Sequence, residues 1–130
     1  MTCVWDSLLH GIPADKFIQK NMRNKPNQKD FVTLLKNNNK KINNIIINST
    51  NLTKSEVEEN YEAIQNFDIN SICNGYFCSA SDPFFILLCD FFQCSIHHTY
   101  INNIIKYEIT NPQFRLHICS SHSHMMFKKN

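Results

Sequence analysis

Glycine is nearly absent from this 130-residue chain, which has two, and neither charge sign dominates: thirteen Lys and Arg stand against eleven Asp and Glu, a net charge of +2. With so little glycine the polar loops must use another residue. Asparagine, the commonest residue, takes that place, a bias of AT-rich coding that carries no chemistry of its own. The weak net charge gives little electrostatic reason to expect nucleic acid, whose binding is driven by clustered neutralisation of phosphates. Basic residues do gather between Lys16 and Lys54, including Lys36-Asn37-Asn38-Asn39-Lys40-Lys41. They read first as a solvated surface, with an acidic partner or nucleic acid as lesser readings. No stretch approaches the roughly 18–20 apolar residues of a membrane span, and no charged-then-apolar leader opens the chain. The expectation is a cytoplasmic protein that engages neither membrane nor nucleic acid.

What the chain has is core material. Hydrophobic residues make up 42% and aromatics 12%, enough at this length for one domain that needs no disulfide, metal or cofactor to fold. A monomer is expected. The six cysteines, Cys3, Cys73, Cys78, Cys89, Cys94 and Cys119, admit a disulfide reading, set aside for want of a secretion signal. They also admit a zinc reading: Cys73/Cys78 and Cys89/Cys94 share a C-x4-C spacing, and His97-His98 or His122/His124 could complete a tetrahedral site. Against zinc, Cys89 and Cys94 fall in an expected helix on poorly aligned faces, and His97 and His98 point to opposite sides of a strand.

The two ends of the chain carry the sharper signal. Cys3 opens the helical run Cys3-Val4-Trp5-Asp6-Ser7-Leu8-Leu9-His10-Gly11, while His122 and His124 stand before Met125-Met126-Phe127. A thiolate, not a thiol, attacks carbonyl carbon, and a free cysteine with pKa near 8.5 yields little of it at neutral pH. Unpaired N–H groups and the macrodipole at a helix N-terminus stabilise an adjacent anion, and a nearby imidazolium does so further. Val4, Leu8 and Leu9 are spaced to hold one face of this helix in the core, with Ser7 and His10 turned elsewhere and Gly11 as its stop. The bland alternative is a small buried cysteine that only packs.

The segment Cys3-Val4-Trp5-Asp6-Ser7-Leu8 resembles the nucleophile segment of the ovarian-tumour (OTU) family of cysteine proteases, in which a catalytic cysteine heads a helix and an aromatic residue follows. Asn60 to Ile64, Gly75-Tyr76-Phe77-Cys78 and Asp82 to Phe92 resemble that family's glycine–aromatic turn and the helix behind its active site. Gln93 to Tyr100, Phe114 to Cys119 and His124 to Phe127 resemble the strands that lead to its catalytic histidine. The resemblance rests on the order of these blocks and spans nearly the whole chain. It implies a papain-like cysteine protease architecture and a deubiquitinase that cleaves isopeptide or peptide bonds after a ubiquitin-like tail, in host cytoplasm if viral, with the enzyme's own polyprotein as a second substrate class. By the same resemblance Cys3 is the nucleophile and His124 the general base, with His122 as the alternative. Two departures stand out: the Asp-Gly stretch that precedes the family's nucleophile is missing, so the chain is expected to be a single domain lacking that loop, and Met125 replaces the aromatic that usually follows the histidine. The competing reading is a non-catalytic ubiquitin-binding or zinc-stabilised interaction module.

The fold class expected is α+β, with N-terminal helices packed against a small, mainly antiparallel C-terminal sheet. Pro13 opens a helical turn followed by Phe17, Ile18 and Met22, and Asp30 to Leu35 forms another helix. Ile42 to Ile47 reads as a short strand. Thr53-Lys54-Ser55-Glu56 is a capping box that starts a helix running to about Asn66, with Leu52 and Val57 placed for a hydrophobic staple. Asp82 as N-cap and Pro83 as first residue open an apolar central helix through about Phe92. Strands at Ser95 to Tyr100 and Ile104 to Ile109 form a hairpin through Asn102-Asn103, and Leu116 to Cys119 pairs with His124 to Lys128. Period-two alternation puts Met125 and Phe127 on the core side of that last strand and both histidines on the other.

Overall fold

The computed structural model describes residues 4–69, 81–100, 102–120 and 125–127. Cys3, His122 and His124, together with Cys73, Cys78 and the turn at Gly75, lie outside the described residues. What is described is a mixed helix and sheet fold: α1 (Val4–Gly11), α2 (Ala14–Gln19), α3 (Gln28–Asn37), β1 (Ile46–Ile47), β2 (Thr50–Asn51), α4 (Lys54–Gln65), α5 (Ser81–Phe92), β3 (Ser95–Tyr100), β4 (Asn103–Glu108), β5 (Arg115–Ser120) and β6 (Met125–Phe127).

Local chemistry sets most of these boundaries. At α4 the capping box is complete: the Thr53 hydroxyl accepts from the Glu56 amide at 3.1 Å, and the Thr53 amide donates to the Glu56 carboxylate at 2.8 Å. This satisfies two donors that a helix start leaves open. At α3 the Asn27 side chain accepts from the Asp30 amide at 2.8 Å, so the helix begins at Gln28, ahead of the expected Asp30, and buries Phe31, Val32 and Leu35. Pro13 proves to be the N-cap of α2 rather than a helical residue, and Ile18 stays 59% exposed. α5 begins at Ser81, so Asp82 and Pro83 sit inside its first turn instead of capping it. Every residue from Pro83 to Cys89 is buried, which makes α5 the central helix that its all-round apolar sequence demands.

The sheet has six strands in the order β2-β1-β4-β3-β5-β6. Four of its pairings are antiparallel, but the β3–β5 pair is parallel, with Ile96 beside Leu116 and His98 beside Ile118. Nor is the sheet wholly C-terminal, because β1 and β2 join it from between α3 and α4. Ile47 pairs with Thr50 across Asn48 and Ser49, both at positive φ (48° and 67°), the two-residue turn that matches strand twist. Asn21 and Asn111 also take positive φ, so asparagine does supply backbone conformations that glycine would elsewhere.

The core lies between the helices and one face of the sheet. Ile96, His98, Tyr107, Leu116 and Ile118 are buried on that face with Phe84, Phe85, Leu88, Phe31 and Trp5. The alternate residues His97, Thr99, His117 and Cys119 are half-buried on the other face, and Lys106 and Ile104 are exposed there. Register sets Met125 beside Ser120 and Phe127 beside Ile118.

Candidate active site

Cys3 and His124 lie outside the described residues, and the elements that adjoin them in sequence are α1, from Val4, and β6, from Met125. α1 is held by Trp5, which is 2% exposed. Its indole meets the rings of Phe84, Phe67 and Phe31 edge to face at centroid distances of 4.8, 6.1 and 6.4 Å, the geometry that aromatic quadrupoles favour. Leu8 is fully buried and Leu9 half-buried, as their spacing predicts, and His10 is exposed. Ser7 is buried instead of turned away. The helix lies against β5 and β6.

Its direction follows from what comes next. Beyond Gly11 the chain enters α2, where Phe17 meets Phe92 at the end of α5 at 5.3 Å and Lys16 donates to the Gln113 side chain at 3.1 Å. Gln113 and Phe114 lead into β5, and they bond to the residues after α5: Gln113 N–H to the Gln93 carbonyl at 2.7 Å, and Ser95 N–H to the Phe114 carbonyl at 3.1 Å. One end of the molecule therefore gathers α2, the end of α5 and the starts of β3 and β5. The opposite end gathers the start of α5, where Phe84 meets Trp5, with the ends of β3 and β5 and the start of β6, which pairs Met125 with Ser120. α1 thus runs antiparallel to β5, and its positive N-terminal end points toward the end where β6 begins.

Of the described cysteines, Cys89 and Cys94 are buried. The Cys89 thiol is buried, which together with neighbouring Cys94 pushes its pKa well up, and it rests 3.8 Å from the Tyr107 carbonyl. Cys94 is buried beside the Leu88 carbonyl at 3.9 Å, outside α5 and not within it as expected. Such thiols pack as small hydrophobes. Cys119 is half-buried on the face of the sheet opposite Ile118 and the core. Among the described residues no three His, Cys, Asp or Glu side chains converge on a metal position. His97 and His98 do face opposite sides. His97 lies against the His117 ring at 5.2 Å, with its Nε2 3.9 Å from Glu108, and burial and Arg115 lower its pKa.

A polar group that the sequence reading missed lies under the first turn of α5. The Tyr107 hydroxyl donates to Asp82, and His98 lies beneath them against the Phe85 ring at 5.5 Å. Burial, reinforced by Asp82, drives the Tyr107 pKa far above its ordinary value, and burial lowers that of His98 while Asp82 opposes the change. The hairpin register differs from the expected Asn102-Asn103 turn, since Asn103 is already in β4 and pairs with Tyr100, which sets Tyr107 beside Ile96; alternation sets His98 on the same face in either register. No family model matches the chain, and no curated protein or solved structure is significantly similar to it.

Proposed function

We propose that this protein is a thiol-dependent hydrolase of OTU type, a deubiquitinase in which Cys3 is the nucleophile and His124, or failing it His122, is the base. The observation that supports the reading is that α1 packs against β5 and β6, the strand pair whose Ser120 lies beside Met125 at the start of β6. The residues that adjoin α1 and β6 in sequence are the thiol and the imidazole that such a reaction requires. Burial of Cys89 and Cys94 adds support, since it leaves neither available for attack.

In this scheme the imidazole accepts the Cys3 proton, and the helix dipole of α1 favours the thiolate that results. The thiolate adds to the carbonyl carbon of the scissile amide, and backbone N–H groups at the start of α1 face the developing oxyanion. A donor of that kind is worth about 2.7–4 kcal/mol in a well-measured protease. The imidazolium then protonates the leaving amine to give a thioester, and the imidazole next deprotonates the water that hydrolyses it. A ubiquitin-like tail is the proposed substrate, with a polyprotein junction as the second substrate class.

A ubiquitin probe bearing a C-terminal electrophile tests this directly. We expect covalent labelling of the wild-type chain and none of Cys3→Ala. Labelling that survives Cys3→Ala would refute the assignment, and ubiquitin affinity without any labelling would establish a binding module instead.

A further inference from the structure

A strip of surface outside the proposed active site has a composition that hydrolysis does not use. Residues 16–29 contain Lys16, Lys20, Arg23, Lys25 and Lys29, the amides Gln19, Asn21, Asn24, Asn27 and Gln28, and no carboxylate. They run from α2 through the irregular link into the first turn of α3. Lys20, Arg23, Lys25 and Lys29 are exposed and Lys16 is half-buried. Several of these cations are already held in place. Lys25 donates to the Leu9 carbonyl at 2.7 Å, Lys16 to Gln113 at 3.1 Å, and the Lys20 ammonium sits 4.5 Å from the Phe91 ring. Asp15, 4.0 Å from Lys16, and Asp30 border the strip in sequence, and Asp90, paired with Lys40 at 2.9 Å, lines a depression together with Lys20.

The strip also has relief. A depression of about 150 Å³ opens between Lys16, Gln19, Lys20 and Gln113 over Phe91, and a second, of about 530 Å³, opens beside Leu9, Pro26, Asn27, Gln28 and Lys29. Ile18, in α2, stands 59% exposed. The net charge of +2 conceals this arrangement because it averages the strip with α4, whose Glu56, Glu58, Glu59 and Glu62 lie elsewhere in the fold.

We propose that this strip binds the phosphodiester backbone of single-stranded nucleic acid. Five cations within fourteen residues, with Asp15 and Asp90 at their margin, outnumber the neighbouring carboxylates and can neutralise several phosphates with release of their counterions. Side-chain amides interleaved with the cations donate to phosphate oxygens and pair with base edges, and an exposed aliphatic side chain gives an unstacked base somewhere to rest. An acidic protein surface would satisfy the charges but would leave the amides and the two depressions without a role. The proposal does not depend on the hydrolase reading.

Fluorescence anisotropy with fluorescein-labelled 20-nucleotide RNA and DNA of mixed sequence tests it. Four to five phosphate contacts at roughly 0.7 each predict that the logarithm of the association constant falls with the logarithm of salt concentration with a slope of about −3. The double substitution Lys20→Gln with Arg23→Gln should weaken binding and flatten that slope by roughly 1.4. Lys54→Gln with Lys106→Gln removes the same charge from other surfaces and should change neither. Preference for RNA or for DNA identifies the natural source of the backbone. Equal loss from both pairs, no binding to either oligonucleotide at low salt, or tighter binding of labelled polyglutamate would overturn the proposal. An unchanged thermal midpoint in the four substituted positions confirms that the readout is binding.

Discussion

Replacing Trp5 by alanine tests the attachment of α1 and can be worked through from the structure. The indole is 2% exposed and meets three phenylalanine rings. Emptying such a site costs about 3–5 kcal/mol from lost transfer energy and the residual cavity, and loss of the edge-to-face pairs pushes the value toward the upper end. A chain of 130 residues has a total stability of roughly 6–20 kcal/mol, so Trp5→Ala should still fold. With a urea dependence of about 1.5–2 kcal/mol per molar, the denaturation midpoint should fall by about 2 M. Trp5→Phe keeps one ring against Phe84 and should cost about half as much. Because Trp5 is the sole tryptophan, its fluorescence follows unfolding of the wild type, and far-UV circular dichroism follows the variants. A midpoint within about 0.3 M of wild type for Trp5→Ala would refute the packing of α1 against α5, and with it the direction assigned to that helix.

Two further outcomes follow from the polar group beneath α5. His98 is fully buried with a lowered pKa, so below its ordinary value of about 6.5 the unfolded chain binds a proton that the folded chain refuses. The stability from neutral His98 is complete above that pH and is lost as pH falls through the window beneath it. His98→Leu should therefore lose less stability than wild type between pH 7 and pH 5 in paired urea titrations, and parallel losses would contradict the burial. Tyr107→Phe removes the hydroxyl that donates to Asp82. Because the ring stays and Asp82 faces solvent, the loss should be about 1–2 kcal/mol in the same assay, and an unchanged midpoint would show that the bond contributes nothing.

Where local chemistry alone decides, the sequence was readable. Thr53 and Glu56 reciprocate across three residues, and the chain has no other simple use for that pattern, so the start of α4 was legible. The run from Pro83 to Phe92 is apolar on nearly every side, Asp90 apart, and so reads as a central helix. The pairing of β3 with β4 and of β5 with β6 followed from alternation, although the β3–β4 turn falls earlier than the Asn102-Asn103 pair suggested, with Asn103 already paired to Tyr100. What escaped depends on distant partners. Nothing local says that β5 should cross to the far side of β3 and run parallel to it. The β1–β2 hairpin turns on Asn48-Ser49, a weaker signal than an Asn-Gly pair, and only docking on β4 extends it into the sheet. Ser7 was assigned to the outside because helical spacing carries no knowledge of what packs against the second face of α1. At the candidate site, the ends of α1 and β6 came from residue order and resemblance, whereas the Asp82–Tyr107–His98 group needed tertiary register to assemble.

Alkylation of Cys3 as a function of pH bears most directly on the claim that the two chain ends form one reactive centre. Iodoacetamide modification, resolved from the other five cysteines by peptide mass mapping, should titrate for Cys3 well below the free-thiol value of about 8.5. His124→Gln, or His122→Gln if that residue is the base, should return the curve toward that value. Identical curves for the wild type and both histidine variants would contradict the account.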